Sequence, residues 1–70
     1  MENINIRLGN HLRILRRKKK FTQEKLADLA GLEYKYIQRL EGKKPSSPTL
    51  NSLEKFAKAF DISIPKLLGF

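Results

Sequence analysis

The residue types that usually do chemistry are thin in this chain. There is one histidine, His11, no cysteine, and seven carboxylates scattered over 70 residues. A bound metal needs three or four converging His, Cys or carboxylate ligands. One histidine without cysteine does not supply such a set. Hydrolytic acid–base work needs a positioned pair of titratable groups, and no close carboxylate pair is present. There is no glycine-rich phosphate loop, and His11 is expected on the outer side of a helix. No enzymatic activity, metal or cofactor is therefore expected.

The chemistry the chain does offer is charge-assisted hydrogen bonding to a polyanion. Fifteen Lys and Arg stand against seven Asp and Glu, a net +8, with a pI near 10.1. That balance points to nucleic acid, with a membrane surface as the rival. The cations are concentrated: residues 1–44 hold twelve basic and five acidic side chains, and residues 45–70 hold three and two. Within the basic part, Glu33, Tyr34, Lys35, Gln38 and Arg39 are polar or amphipathic at spacings that place them outward on one helix. The run Arg16-Arg17-Lys18-Lys19-Lys20 also suits a helix C-terminus, where cations are favoured.

Five helices are predicted to position these groups. Ile4, Leu8, Leu12 and Leu15 keep helical spacing, so a first helix is placed over 5–19. Gly9 lowers its propensity, which a close approach by another helix would explain. Thr22 is a good N-cap for a second helix over 23–30, and Gly31 can take the left-handed conformation that ends it. A third helix over 33–41 buries Ile37 and Leu40 and stops at Gly42. Residues 43–48, with two Pro and two Ser, read as an extended linker. Thr49 or Ser47 caps a fourth helix reaching Phe60, with Leu50, Leu53, Phe56, Ala57 and Phe60 at helical spacing. Ser63 caps a short last helix over 64–68, with Pro65 in its first turn. No alternating strand pattern appears. No long apolar stretch opens the chain, so neither a signal peptide nor a membrane span is expected. The expectation is one all-α domain over 1–70. A chain this short buries only about 60 % of its unfolded surface, so its stability margin is thin.

Two short helices joined by a glycine turn form a helix-turn-helix. Its steep crossing needs a small side chain at the contact, here Ala27, and apolar inward positions, here Leu26, Ala30, Leu32, Ile37 and Leu40. At this point the sequence resembles a known family. Residues 23–42 look like the helix-turn-helix of the Cro and lambda-repressor-like family. Leu8-Gly9-Asn10-His11-Leu12-Arg13 with Leu15-Arg16 looks like the family's first helix, and Phe21-Thr22-Gln23-Glu24-Lys25-Leu26-Ala27 like its second. Phe56-Ala57-Lys58-Ala59-Phe60 and Ile64-Pro65-Lys66-Leu67-Leu68 look like its fourth and fifth. One departure follows Glu41, where Gly42 comes at once although many members carry an extra residue, and the linker is long.

The resemblance implies a compact five-helix domain whose third helix enters the major groove of double-stranded DNA. The matched base-reading positions are Tyr34, Lys35 and Arg39, with Gln38 flanking and Glu33 able to accept from cytosine N4. Gln23 matches a position that grips backbone phosphate in relatives. Tyr36 directs its hydroxyl to the DNA backbone, packs on the fourth helix, or does both. Lys43, Lys44, Ser46 and Ser47 are candidate phosphate contacts from the linker. Arg16 and Glu41 match a partly buried salt bridge between the first and third helices.

Family members usually bind as two-fold dimers on palindromic sites. Ile62, Ile64, Leu67, Leu68 and Phe70 exceed what so small a core requires, so a dimer seam is expected there; the alternative is that they cap the core. The expected function is a sequence-specific transcriptional regulator of the small phage-repressor or restriction-modification controller type, cytoplasmic and nucleoid-associated when bound. No small-molecule ligand is expected, because there is no room for a sensing domain. The alternative is a protein-interaction module of the same fold, an antitoxin, coactivator or adaptor, with secondary DNA binding.

Overall fold

The computed structural model describes residues 3–70. Five helices follow one another: α1 (Ile4–Lys18), α2 (Gln23–Ala30), α3 (Tyr34–Leu40), α4 (Leu50–Phe60) and α5 (Ile64–Leu67). Among the described residues there is no strand. Four of the five helices open on a side-chain cap. Asn3 accepts from the Asn5 amide at 2.7 Å, Thr22 from Lys25 at 3.0 Å, Thr49 from Ser52 at 3.1 Å and Ser63 from Lys66 at 3.3 Å. Each such bond satisfies an orphan helical N–H and contributes about 1 kcal/mol. The caps also account for the shifted boundaries. Asn3 starts α1 one residue earlier than predicted. Glu33 stands outside α3 as an extended N-cap residue with no capping hydrogen bond. Thr49, not Ser47, caps α4.

The helix ends show where backbone freedom is needed. Gly31 closes α2 at φ 67°, and the Leu32 amide then donates to the Ala27 carbonyl at 2.9 Å. Lys20 (φ 60°) and Asp61 (φ 57°) adopt the same left-handed conformation with a side chain attached. That conformation is sterically unfavourable for L-residues. Gly9 has a different role. A Cβ there would stand 2.0 Å from the Leu40 carbonyl oxygen, so α1 and the end of α3 touch backbone to side of backbone.

All five helices share one core. Phe56, Phe60, Leu12, Leu26, Ile37 and Leu67 are its largest fully buried side chains. Burial of one such side chain contributes about 1.5–3 kcal/mol. Phe21, between α1 and α2, stacks on Phe60 with ring centroids 6.4 Å apart, which holds the entry of α2 against α4. Leu67 is completely buried in this core. It was expected in an outward seam, and that expectation is corrected: in a helix of four residues, only one position can plug the gap beneath α4. Among the described residues, no helix is long and apolar enough to cross a membrane.

Candidate nucleic-acid interface

The outward face of α3 carries Tyr34, Lys35, Gln38 and Arg39, all exposed, while Ile37 and Leu40 face the core. This division follows from the 3.6-residue period. Among the described residues the ion pairs are Arg13 and Arg16 with Glu41, and Lys58 with Glu54. Lys35, Arg39, Lys43 and Lys44 are therefore cations without an acidic partner, exposed on or just beyond one helix. Unneutralised charge of one sign on a rigid face attracts a polyanion. Along the same face, Gln38 Nε2 donates to the Tyr34 hydroxyl at 3.1 Å. Glu33 is exposed beside them.

Beneath this face lies a polar hub centred on Glu41, whose side chain is 2 % exposed. Arg16 grips it with two donors: Nε to Oε2 and Nη2 to Oε1, both at 2.9 Å. Arg16 Nη1 also donates to the Phe21 carbonyl at 2.9 Å, so the guanidinium ties α1, the α1–α2 turn and the end of α3 together. The fork geometry of Arg suits a carboxylate held by two parallel bonds. Arg16 is held above its ordinary pKa. The hydrogen bonds to Glu41 raise it most, burial pulls against them, and charge attraction adds to the rise.

Arg13 completes the hub. Its Nη2 donates to the Glu41 carbonyl oxygen, and its Nε lies 3.6 Å from Oε1. Arg13 is not among the functional residues expected from the sequence. The available signal was its position three residues before Arg16, which puts both guanidinium groups on one side of α1. Two cations around one carboxylate leave the hub net positive, directly under the start of α2.

The remaining candidates divide. Gln23 is half-buried, and one N–H of its amide donates to Glu41 Oε1 at 3.2 Å. An amide nitrogen carries two hydrogens, so one stays available to an external acceptor. Tyr36 shows the packing role. Its hydroxyl donates to Ser52 Oγ at 3.1 Å and joins α3 to the first turn of α4, where Thr49 also donates to Ser52 Oγ at 3.1 Å. The single phenolic proton is thus used inside the protein. In the linker, Lys43 and Lys44 are exposed and Ser46 is half-buried. Ser47 is engaged by the Asn5 side-chain amide, Nδ2 to Oγ at 2.9 Å, which moors the linker to α1.

At the C-terminus, Leu68 and Phe70 are exposed, while Ile62 and Ile64 pack partly against the core. The Phe70 ring lies 5.3 Å from the Arg7 guanidinium and 5.3 Å from the His11 ring, and Arg7 Nη2 donates to the Phe70 carbonyl at 3.3 Å. His11 is therefore half-buried under the chain's last residues rather than on the outer side of α1. Its Nε2 is buried without a hydrogen-bond partner. The last residues cross over α1, and no periodicity in the sequence encodes that path.

Comparison with known proteins places this architecture. The profile of the helix-turn-helix family matches residues 12–67. The chain is 39 % identical over 61 residues to the control protein C.SmaI of Serratia marcescens, covering 87 % of this chain and 71 % of that protein. It is 28 % identical over 62 residues to the transcriptional regulator SinR of Bacillus licheniformis, covering 89 % of this chain and 56 % of that protein. Among solved structures, the restriction-modification controller protein C.AhdI of Aeromonas hydrophila superimposes with a TM-score of 0.84 at 35 % identity, over 90 % of this chain and 94 % of that one.

Proposed function

Because the chain belongs to the helix-turn-helix family of Cro- and lambda-repressor-like transcriptional regulators, we propose that it reads a specific double-stranded DNA sequence as a homodimer. The recognition element is α3, inserted in the major groove of each half of a palindromic operator. Lys35 and Arg39 donate to base edges, Arg39 with the geometry that suits guanine O6 and N7. Lys43 and Lys44 hold backbone phosphate from the linker, and the spare N–H of Gln23 does so from the start of α2. Ser46 and Glu33 flank these contacts. The observation that carries this reading is the α3 face itself: exposed, uncommitted to the core and lined by cations without acidic partners.

A single short helix makes few base contacts, and two-fold pairing doubles them. Leu68 and Phe70, with Ile62 and Ile64 behind them, form the proposed seam. Similarity to C.SmaI and C.AhdI supports a role as a controller protein. Selection from a random duplex pool at near-physiological salt tests the proposal. An enriched palindrome is the expected result. Enrichment of a single unpaired half-site removes the dimer. Binding without enrichment removes sequence reading and leaves only attraction to charge. Absence of binding favours the interaction-module alternative, with Leu68 and Phe70 as the surface to probe.

A further inference from the structure

The hydrogen bond between Gln38 and Tyr34 assigns a base. We infer that Gln38 reads adenine and that Tyr34 is the residue that positions it; this rests on the major-groove reading above. The two side chains are four residues apart on α3 and both exposed, and Gln38 Nε2 donates to the Tyr34 hydroxyl at 3.1 Å. Residues at this spacing lie one above the other on a helix surface.

A carboxamide has one oxygen and two N–H groups. The oxygen and the N–H on its own side form a paired acceptor–donor edge. The second N–H points away from the oxygen and takes no part in that edge. In the DNA-bound arrangement the Tyr34 hydroxyl accepts from the second one. The paired edge is then left facing outward and complete. It matches the major-groove edge of adenine, where N6–H donates and N7 accepts. Guanine offers two acceptors there, thymine an acceptor and a methyl group, and cytosine a donor alone, so none of them satisfies both halves of the amide.

The tyrosine matters because a free glutamine is a poor reader. Its three torsions let the amide rotate, and a rotated amide presents the opposite order of donor and acceptor. Tethering the amide to a ring with two torsions lowers the freedom lost on binding. Tyr34 is also the better residue for this task on steric grounds. Its ring starts one turn earlier, and the Gln38 side chain, tilted toward the helix N-terminus, reaches back to its hydroxyl.

The test runs the random-pool selection on three proteins, wild type, Gln38→Ala and Tyr34→Phe, and then substitutes 7-deaza-adenine at the position that Gln38→Ala relaxes. Wild type is expected to require adenine at that position in each half-site. Gln38→Ala is expected to lose the requirement there and nowhere else, with discrimination falling roughly 5- to 150-fold, the range of one bidentate pair. Tyr34→Phe keeps the ring and removes the anchor. It is expected to retain adenine as the preferred base but to lose part of the discrimination. The 7-deaza base is expected to weaken wild type and leave Gln38→Ala unchanged. An operator whose Gln38-dependent position is not adenine overturns the assignment while leaving DNA reading intact. Unchanged discrimination in Tyr34→Phe overturns the positioning role. A wild-type pool with no enriched sequence overturns the parent reading, and this one with it.

Discussion

Replacing Arg16 by Met takes two 2.9 Å bonds from the Glu41 carboxylate, which is 2 % exposed, and leaves it only Arg13 Nε at 3.6 Å and the Gln23 amide at 3.2 Å. Breaking a buried pair from one side typically costs about 3–5 kcal/mol. A domain of this size has only about 5–10 kcal/mol in total. Thermal melts of Arg16→Met should therefore shift down by roughly 12–40 °C. Adding Glu41→Leu should recover most of the loss, because the stranded charge goes with it, while Arg13 keeps its bond to the Glu41 backbone carbonyl. Residues on the outer face follow a different rule. Arg39→Ala should cost about 1–3 kcal/mol on the selected operator and relax one base position. Lys44→Ala should weaken matched and scrambled duplexes alike and flatten the salt dependence by about one unit of log–log slope. Quantitative binding on both duplexes at several salt concentrations separates the two. Some of this was legible in the sequence. Which side chains of α3 face outward follows from its period. What Gln23, Tyr36 and Arg13 bond to does not, because each partner lies in another helix or is a backbone atom.

At the scale of the helices, contacts between backbones set the geometry. Gly9→Ala would place a methyl carbon 2.0 Å from the Leu40 carbonyl oxygen. Backbone cannot move aside as a side chain can, so α1 must lift from the end of α3. A loss of about 1–3 kcal/mol or more is expected, read by chemical denaturation, although alanine is the better helix former. Lys20→Gly should act in the other direction. Its φ of 60° is unfavourable for lysine and ordinary for glycine, so a gain of about 1 kcal/mol is expected. The five helices were readable because each has an apolar period and all but α3 a polar cap. Their ends moved by one residue where a cap, such as Asn3, lies outside the apolar stripe. The left-handed Lys20 was not readable, since nothing in its type announces that conformation.

For the whole molecule, the exposed apolar residues at the C-terminus offer a separate test. Leu68→Ser with Phe70→Ser leaves the core intact, because Leu67, completely buried, stays in place. Sedimentation should then report a monomer that still unfolds cooperatively, with a melting temperature that no longer depends on protein concentration. An unchanged dimer would place the seam elsewhere, for instance over the exposed Ile4 and Ile14 of α1. The sequence suggested a seam because five apolar residues crowd its last nine positions. It could not separate the one that plugs the core from those that remain outside. That distinction depends on the angle at which α5 meets α4, and no local pattern encodes it.

The side chains on the outer face of α3 contribute almost nothing to holding the protein together. Tyr34, Lys35, Gln38 and Arg39 bond only to one another or to solvent, while the Glu41 hub and the core lie on the other side of the same helix. Substitutions at such positions seldom move stability by more than about 0.5 kcal/mol. On the proposed reading, the protein can thus change its target without first acquiring spare stability. A thin margin, which limits most routes of adaptation in so small a chain, does not limit this one. Two copies of the gene could diverge into regulators of separate operators by exchanging four side chains, with the same scaffold folding equally well in both.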